Sequence, residues 1–498
     1  MNLSFAALFA SALAAAPVAA RPAPRAATPK TAQVQLPATT PGRLLSTWLG
    51  LCDAAAIQAL TAWGAKSYSP RVLERQSAAQ LARGDARDCA VDGGYRPLAI
   101  LTSEARLLEV AVLARKTTAT LKLRIRLDAQ DRIEGLLLAP LAPAEASLPR
   151  PLTDDSVRAV LSAYLQKLDA AGEFSGTVVV ARAGKPVITL STGFSNRATR
   201  AGFGESTQFT LGSMGKLFTT VAIGQLVDAG KVAYTDPVGK FFPSYANETV
   251  REKVTVGMLL SHTAGLGDFL EKRTPAMMKE GIRRASELVP LFEKDELRFA
   301  PGTSWAYSNA GLALAGAIVE QVSGEDYPAY LRKHIFEPAG MKDSDVNNVP
   351  HRDPRLVIPY TRGDNGEWEE APADLGSPAG GAISTALDLV RFAEALRNGT
   401  LVKSATFALI AAPHATAPRG EHYGYGMSIE ELYGRTLVGH GGGFPGVSTQ
   451  LSLVQGTDLT VVVLANQDPP AASRVSTRAN ALVVAQANAA GARSAGKD

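Results

Sequence analysis

Cysteine is almost missing from this chain: Cys52 and Cys89 are the only two in 498 residues. That excludes a fold stapled by many bridges and leaves either one disulfide in an oxidising compartment or two separate buried thiols. Histidine is also scarce, at six, and none clusters beside the cysteines, so a metal site there is disfavoured. No basic block interleaved with aromatics occurs, and 51 Lys and Arg against 47 Asp and Glu leave a net charge of only +4. A nucleic-acid partner is therefore not indicated. Beyond residue 20 no apolar run is long enough to cross a bilayer.

What is present fits a globular enzyme. Hydrophobic residues make up 46% and charged residues 20%, enough for a sizeable core, and the length favours two domains with extensions. Residues 3–20, LSFAALFASALAAAPVAA, are apolar and precede Arg21. Val18 and Ala20 occupy the small-residue positions of a signal-peptidase site, so cleavage after Ala20 and export to the periplasm or medium are expected. Residues 21–42, rich in Ala, Pro, Thr and Arg, read as a disordered tether.

A helical pattern then runs from Arg43 to about Leu81, with Leu44, Leu45, Trp48, Leu51 and Ala55 at three- and four-residue steps. Strands are expected at 96–102, 106–114, 118–127 and 132–138, the last two joined at Gln130-Asp131-Arg132. Residues 43–138 thus form a small α+β domain, similar to the cone-shaped nuclear-transport-factor-2-like fold, with no convergent catalytic set. Prolines mark a linker over 139–151. In the remainder, 152–490, Thr153 caps a helix and GTVVVARAGKPVITLS makes a hairpin bending at Ala183-Gly184-Lys185. Strands return near 436–439, 447–454 and 459–465, before a last helix over about 471–485. Strands at both ends with helices between predict one antiparallel sheet assembled from both ends of the segment.

The chemistry centres on LGSMGKLFT, residues 211–219. Ser213 and Lys216 are three apart, close to one helical turn, so their side chains share a face. A hydroxyl needs a base within hydrogen-bond reach, and a buried amine can be that base. Only Ser213 and Ser494 have Lys three residues on, about the chance frequency, so the partners must decide. PGTSWAYSNAG, residues 301–311, places Tyr307 and Asn309 before a small-residue helix that Gly324 ends. Tyr245 and Asn247 repeat that spacing without such a helix. VGHGGGFPG, residues 438–446, puts His440, Gly442 and Gly443 at the end of a strand, where glycines let the backbone approach a ligand. An isolated His beside a tight glycine turn is as readily structural; His262 in LLSHTAGLGD is read as bracing a loop near the cleft.

Together with FEPAGMKDS, PAGGAISTALDLVRF, YGYGM and VVVLANQD, these stretches in this order resemble the penicillin-recognising serine hydrolases: class C β-lactamases, D-Ala-D-Ala carboxypeptidases and related esterases and D-aminopeptidases. The resemblance implies a β-lactamase-like α+β fold over 152–490. It implies Ser213 as nucleophile, Lys216 as base, Tyr307 as its proton partner and Asn309 as a substrate contact. The amides of Ser213 and Gly443 would form the oxyanion hole, and His440 and Gly442 would line the substrate strand. One departure stands out: His440-Gly441-Gly442 replaces the Lys-Thr-Gly usual in lactamases and carboxypeptidases. A mostly neutral His offers no fixed charge to a substrate carboxylate.

The expectation is an exported hydrolase of a small-molecule ester, amide or peptide, with no metal or cofactor, no nucleic-acid partner, no membrane span after processing and an open oligomeric state. The rival readings are a cell-wall or β-lactam binder that acylates and turns over slowly, a true β-lactamase or D-Ala-D-Ala carboxypeptidase, and a ligand-binding role seated in 43–138.

Overall fold

A computed structural model of the chain describes residues 34–495, apart from 55, 347–352, 364–365, 373–374 and 419. The expected signal peptide, 1–20, and the tether as far as residue 33 lie outside the described residues.

The first unit packs helices Thr40–Ala54, Ile57–Ser67 and Ala78–Asp92 beside four antiparallel strands in chain order, Tyr95–Ser103, Leu107–Ala114, Thr120–Leu127 and Ile133–Pro140. Two boundaries differ from expectation. Helix starts at Thr40, inside the expected tether, with Pro41 in its first turn where a missing N–H is harmless. Helix also extends past Leu81 to Asp92: Ser77 and Gln80 form a reciprocal capping box that starts a new helix, and Gly93, at φ 71°, ends it. In the third strand Leu121, Leu123, Ile125 and Leu127 are buried while the residues between them are more exposed, the period of a half-buried sheet. Cys52 and Cys89 form a disulfide between the first and third helices, and no cysteine is free among the described residues.

The linker is a packed strap. The fourth strand runs on to Pro140, Leu148 is buried, and the Tyr433 hydroxyl donates to the Pro143 carbonyl. Thr153 then caps Asp154–Ala170 by accepting from the Ser156 amide.

An eight-stranded antiparallel sheet forms the frame of the second unit. From one edge its order is Ala415–Thr416, His422–Tyr423, Ser428–Leu432, Arg435–Phe444, Val447–Val454, Leu459–Ala465, Gly176–Arg182 and Lys185–Thr192. The pairing of Leu459–Ala465 with Gly176–Arg182 joins the two ends of the unit. Both strands are almost wholly apolar because both faces are covered. Val178, Val180, Val461 and Val463 belong to one core, and Val179, Ala181, Val462 and Leu464 to the other. A period of two divides consecutive valines between the faces.

The first core is shared with the N-terminal unit. It joins Trp48, Cys52, Cys89 and Tyr95 to Leu161 and Leu168 of Asp154–Ala170 and to Val475 and Leu482 of the last helix, Ala471–Ala495. The second core holds Lys216–Asp228, Asn309–Ser323 and Ala386–Arg397. The N-terminal unit therefore lies across the sheet from Ser213.

A buried ion pair crosses the junction. Arg474 Nη1 lies 3.1 Å from Asp92 Oδ1, and the same carboxylate accepts from Thr117 Oγ1 at 2.7 Å and Tyr95 OH at 2.9 Å. Removing one partner of such a pair strands the other charge. Arg474→Ala is expected to lower unfolding free energy by about 3–5 kcal/mol, read from urea midpoints. Activity of the folded fraction should stay within about twofold, because the pair is remote from Ser213.

Candidate active site

The site begins where a short strand, Phe209–Thr210, turns into a 3-10 turn, Gly212–Gly215, and then the helix Lys216–Asp228. In a 3-10 turn residues i and i+3 eclipse, which sets Lys216 above Ser213 more directly than an α-turn would. The helix is apolar on nearly all sides, as a helix surrounded by core must be. Lys216 is fully buried and Ser213 is partly exposed.

Three segments hold this turn: the loop 378–382 and two strands of the large sheet. Leu211 N donates to Ala382 O at 2.8 Å, Thr449 Oγ1 to Leu211 O at 2.7 Å and Gly381 N to Gly212 O at 3.0 Å. Thr219 Oγ1 donates to Pro378 O at 2.6 Å. The glycine strand presses against it: a Cβ on Gly442 would lie 1.8 Å from Leu211 O, and one on Gly212, at φ 53°, 3.0 Å from the Gly443 amide nitrogen. Neither position tolerates a side chain.

Lys216 Nζ lies 3.1 Å from Ser213 Oγ, 2.8 Å from Asn309 Oδ1 and 2.5 Å from Ala379 O. It also sits 4.7 Å from the centroid of the Tyr307 ring. Desolvation pushes the Tyr307 phenol above its ordinary pKa, Asp268 adds to the shift, and a hydrogen bond with Ser213 opposes it. Asn309 opens its helix behind the N-cap Ser308, whose Oγ accepts from Gly311 N at 2.9 Å. The Asn309 amide is turned by Asp268, whose Oδ2 accepts from Nδ2 at 2.6 Å.

His440 lies inside the strand Arg435–Phe444 and is 5% exposed. Its Nε2 is 2.9 Å from Tyr423 OH and its Nδ1 2.5 Å from Gly441 O. Desolvation above all brings its pKa down to about 4. His262, at φ 62°, is lowered well below its ordinary value for the same reason.

A family model described as Beta-lactamase matches residues 161–486. The chain belongs to the β-lactamase family. It is 28% identical over 328 residues to penicillin-binding protein 4* of Bacillus subtilis, covering 62% of this chain and 71% of that one. To esterase EstB of Burkholderia gladioli it is 29% identical over 254 residues, 44% of this chain and 64% of the esterase. The crystal structure of a penicillin-binding protein from Bacillus halodurans superposes with a TM-score of 0.56 at 30% identity, over 63% of this chain and 97% of that one. The chain is a serine hydrolase of this β-lactamase-related family, with its α+β fold.

Within this β-lactamase-family frame, Ser213, Lys216, Tyr307 and Asn309 converge, with Gly442 and Gly443 beside the nucleophile turn. The packing decides how two of the expected residues sit. The His440 ring does not face the cleft, because both nitrogens are engaged inside the protein and the ring is buried. Asn309 is buried, and its amide joins Lys216 to Asp268, so it holds the lysine. The strand also continues through all three glycines to Phe444, since Gly441, Gly442 and Gly443 pair with Gln450, Thr449 and Ser448. Sequence reasoning missed Asp268, Tyr423 and the Ala379 carbonyl. Asp268 and Tyr423 stand in HTAGLGD and YGYGM, whereas a carbonyl oxygen leaves no mark on residue type.

Two predictions arise here. Gly442→Ala should lower kcat/KM about a hundredfold or more by forcing the strand off Leu211 O. Gly441→Ala should remain within a few-fold, because its Cβ meets chiefly the movable Gln450 side chain, at 2.6 Å. Stability should fall as pH drops from about 6.5 towards about 4, because the unfolded chain takes up protons that the buried His440 does not. Each such histidine contributes a slope of about 1.4 kcal/mol per pH unit, so His440→Gln should flatten the urea-midpoint profile in that window.

Proposed function

We propose that the chain is an exported serine hydrolase that cleaves an ester or amide through an acyl-enzyme on Ser213. The observation that carries this reading is the seating of the Lys216 amine. An unprotonated amine has two N–H groups and one lone pair. With the N–H groups on Asn309 Oδ1 and Ala379 O, the lone pair is left for the Ser213 hydroxyl. Lys216 takes the hydroxyl proton as Oγ bonds to the acyl carbon, and the amides of Ser213 and Gly443 receive the oxyanion. Tyr307, protonated because desolvation raises its pKa, gives its proton to the departing alcohol or amine and regains the one on Lys216. Water then attacks the acyl-enzyme by the same proton route and releases the acid.

The neutral His440 favours substrates without a carboxylate at that strand, in keeping with an esterase among the relatives. Periplasmic or secreted placement is supported by the apolar residues 3–20 and by the Cys52–Cys89 bridge, which suits an oxidising compartment. Among the described residues no helix is long and apolar enough to cross a membrane. A second reading, an acyl-binder that deacylates slowly, draws on the printed names of the penicillin-binding relatives.

Ser213→Ala should abolish fluorophosphonate labelling and turnover while leaving the fold intact. The unmodified enzyme should have a kcat/KM for a neutral p-nitrophenyl ester that exceeds that for a chromogenic cephalosporin by roughly one to two powers of ten at pH 7 to 8. A label mapped to another serine overturns the nucleophile, and faster cephalosporin turnover overturns the argument from charge. A stoichiometric burst without turnover selects the slow acyl-binder.

A further inference from the structure

Five groups behind the site form a chain of four hydrogen bonds whose direction is determined by its two ends. Ser308 N lies 3.2 Å from His262 Nδ1, His262 Nε2 3.2 Å from Tyr423 OH, Tyr423 OH 2.9 Å from His440 Nε2, and His440 Nδ1 2.5 Å from Gly441 O. The Ser308 backbone N–H can only donate, so His262 Nδ1 accepts and the ring carries its proton on Nε2. The Gly441 carbonyl can only accept, so His440 Nδ1 donates and its Nε2 is bare. The Tyr423 hydroxyl reconciles the two rings by accepting from His262 and donating to His440. His262, Tyr423 and His440 are 1%, 6% and 5% exposed, so water does not substitute for any link.

The chain joins four stretches of sequence, around His262, Ser308, Tyr423 and His440. Ser308 sits between Tyr307 and Asn309, and Gly441 precedes the glycines that press on the Ser213 turn. We propose that Tyr423 is a positioning residue for the hydrolase reaction. It holds His440 as the neutral Nδ1–H tautomer and, through the Gly441 carbonyl, orients the peptide that leads to the Gly443 amide. This explains in structural terms why a histidine stands on the strand: its ring braces the backbone that faces substrate. The proposal rests on the acyl-enzyme reading, because its kinetic effect is exerted on that oxyanion amide.

Tyr423→Phe tests it, since the ring keeps its place beside His262, at 4.8 Å between centroids, and edge-on to His440, at 5.9 Å, while both hydrogen bonds are lost. For a neutral p-nitrophenyl ester kcat should fall about tenfold or more, with KM within about threefold. Nitrogen-15 NMR of histidine-labelled full-length protein should show two neutral rings of opposite tautomer, assigned with His262→Gln and His440→Gln. In Tyr423→Phe the His440 Nε2 resonance should move, because the hydrogen bond that it accepts from Tyr423 is gone. Unchanged kcat in a folded Tyr423→Phe overturns the proposal, and so does the same tautomer for both rings in the unmodified protein, a measurement that needs neither activity nor a stable variant. Fluorophosphonate labelling of Ser213 in the unmodified protein separates the two ideas: without it the acyl-enzyme reading fails, whatever the tautomers.

Discussion

A lysine amine with no solvent exposure is held between the nucleophile turn and two oxygens from distant parts of the chain. Burying such a group is costly unless every hydrogen-bonding capacity is met. Asn309 comes from the start of one helix and Ala379 from the loop that wraps the turn, 93 and 163 residues away in sequence. The lysine can be accommodated only after those segments have docked. Thr219 on Pro378 and Gly381 on Gly212 fasten the same loop, so the architecture around Ser213 is organised by polar satisfaction inside an otherwise apolar core. Folding and the candidate site meet at this amine: the partners that make its burial tolerable also set it beside the Ser213 hydroxyl.

The central sheet separates chemistry from support. Its consecutive valines alternate between a core that contains the helix Lys216–Asp228 and a core shared with the N-terminal unit. The proline-marked strap reads as a boundary in sequence, yet Asp92 on one side of it in the chain and Arg474 on the other form a buried ion pair. Because the N-terminal unit shares the core on the far side of the sheet, it contributes to stability without lining the cleft. A ligand role for that unit would have to act through the sheet.

His440 illustrates how residue type and environment divide the argument. Its identity alone excludes the permanent charge of a lysine. Burial goes further and lowers its basicity, and the hydroxyl of Tyr423 engages the Nε2 edge of the ring. The β-lactamase fold thus presents, on this strand, backbone in place of a charged side chain.

Much of the fold was legible because it rests on local rules. Period-two burial marked the strands, Thr153 marked a helix start, and Ala183-Gly184 marked the hairpin bend through backbone conformations at φ 47° and 69°. Ser213, Lys216, Tyr307 and Asn309 were legible through spacing and order along the chain. The helix to Asp92 was missed because a second cap restarts helix where apolar periodicity lapses. The strand through Gly443 was missed because glycine has little strand preference of its own, and ladder pairing with 448–450 supplies what propensity lacks. Ala379 was invisible because any residue offers a carbonyl. The direction of the His440 ring, the tilt of the Asn309 amide by Asp268 and the side of the sheet taken by the N-terminal unit depend on groups far apart in sequence. The sequence by itself determined which chemistry the residues can perform; only the tertiary structure decided which atoms face one another, because hydrogen-bond direction and burial exist only once remote segments are packed together.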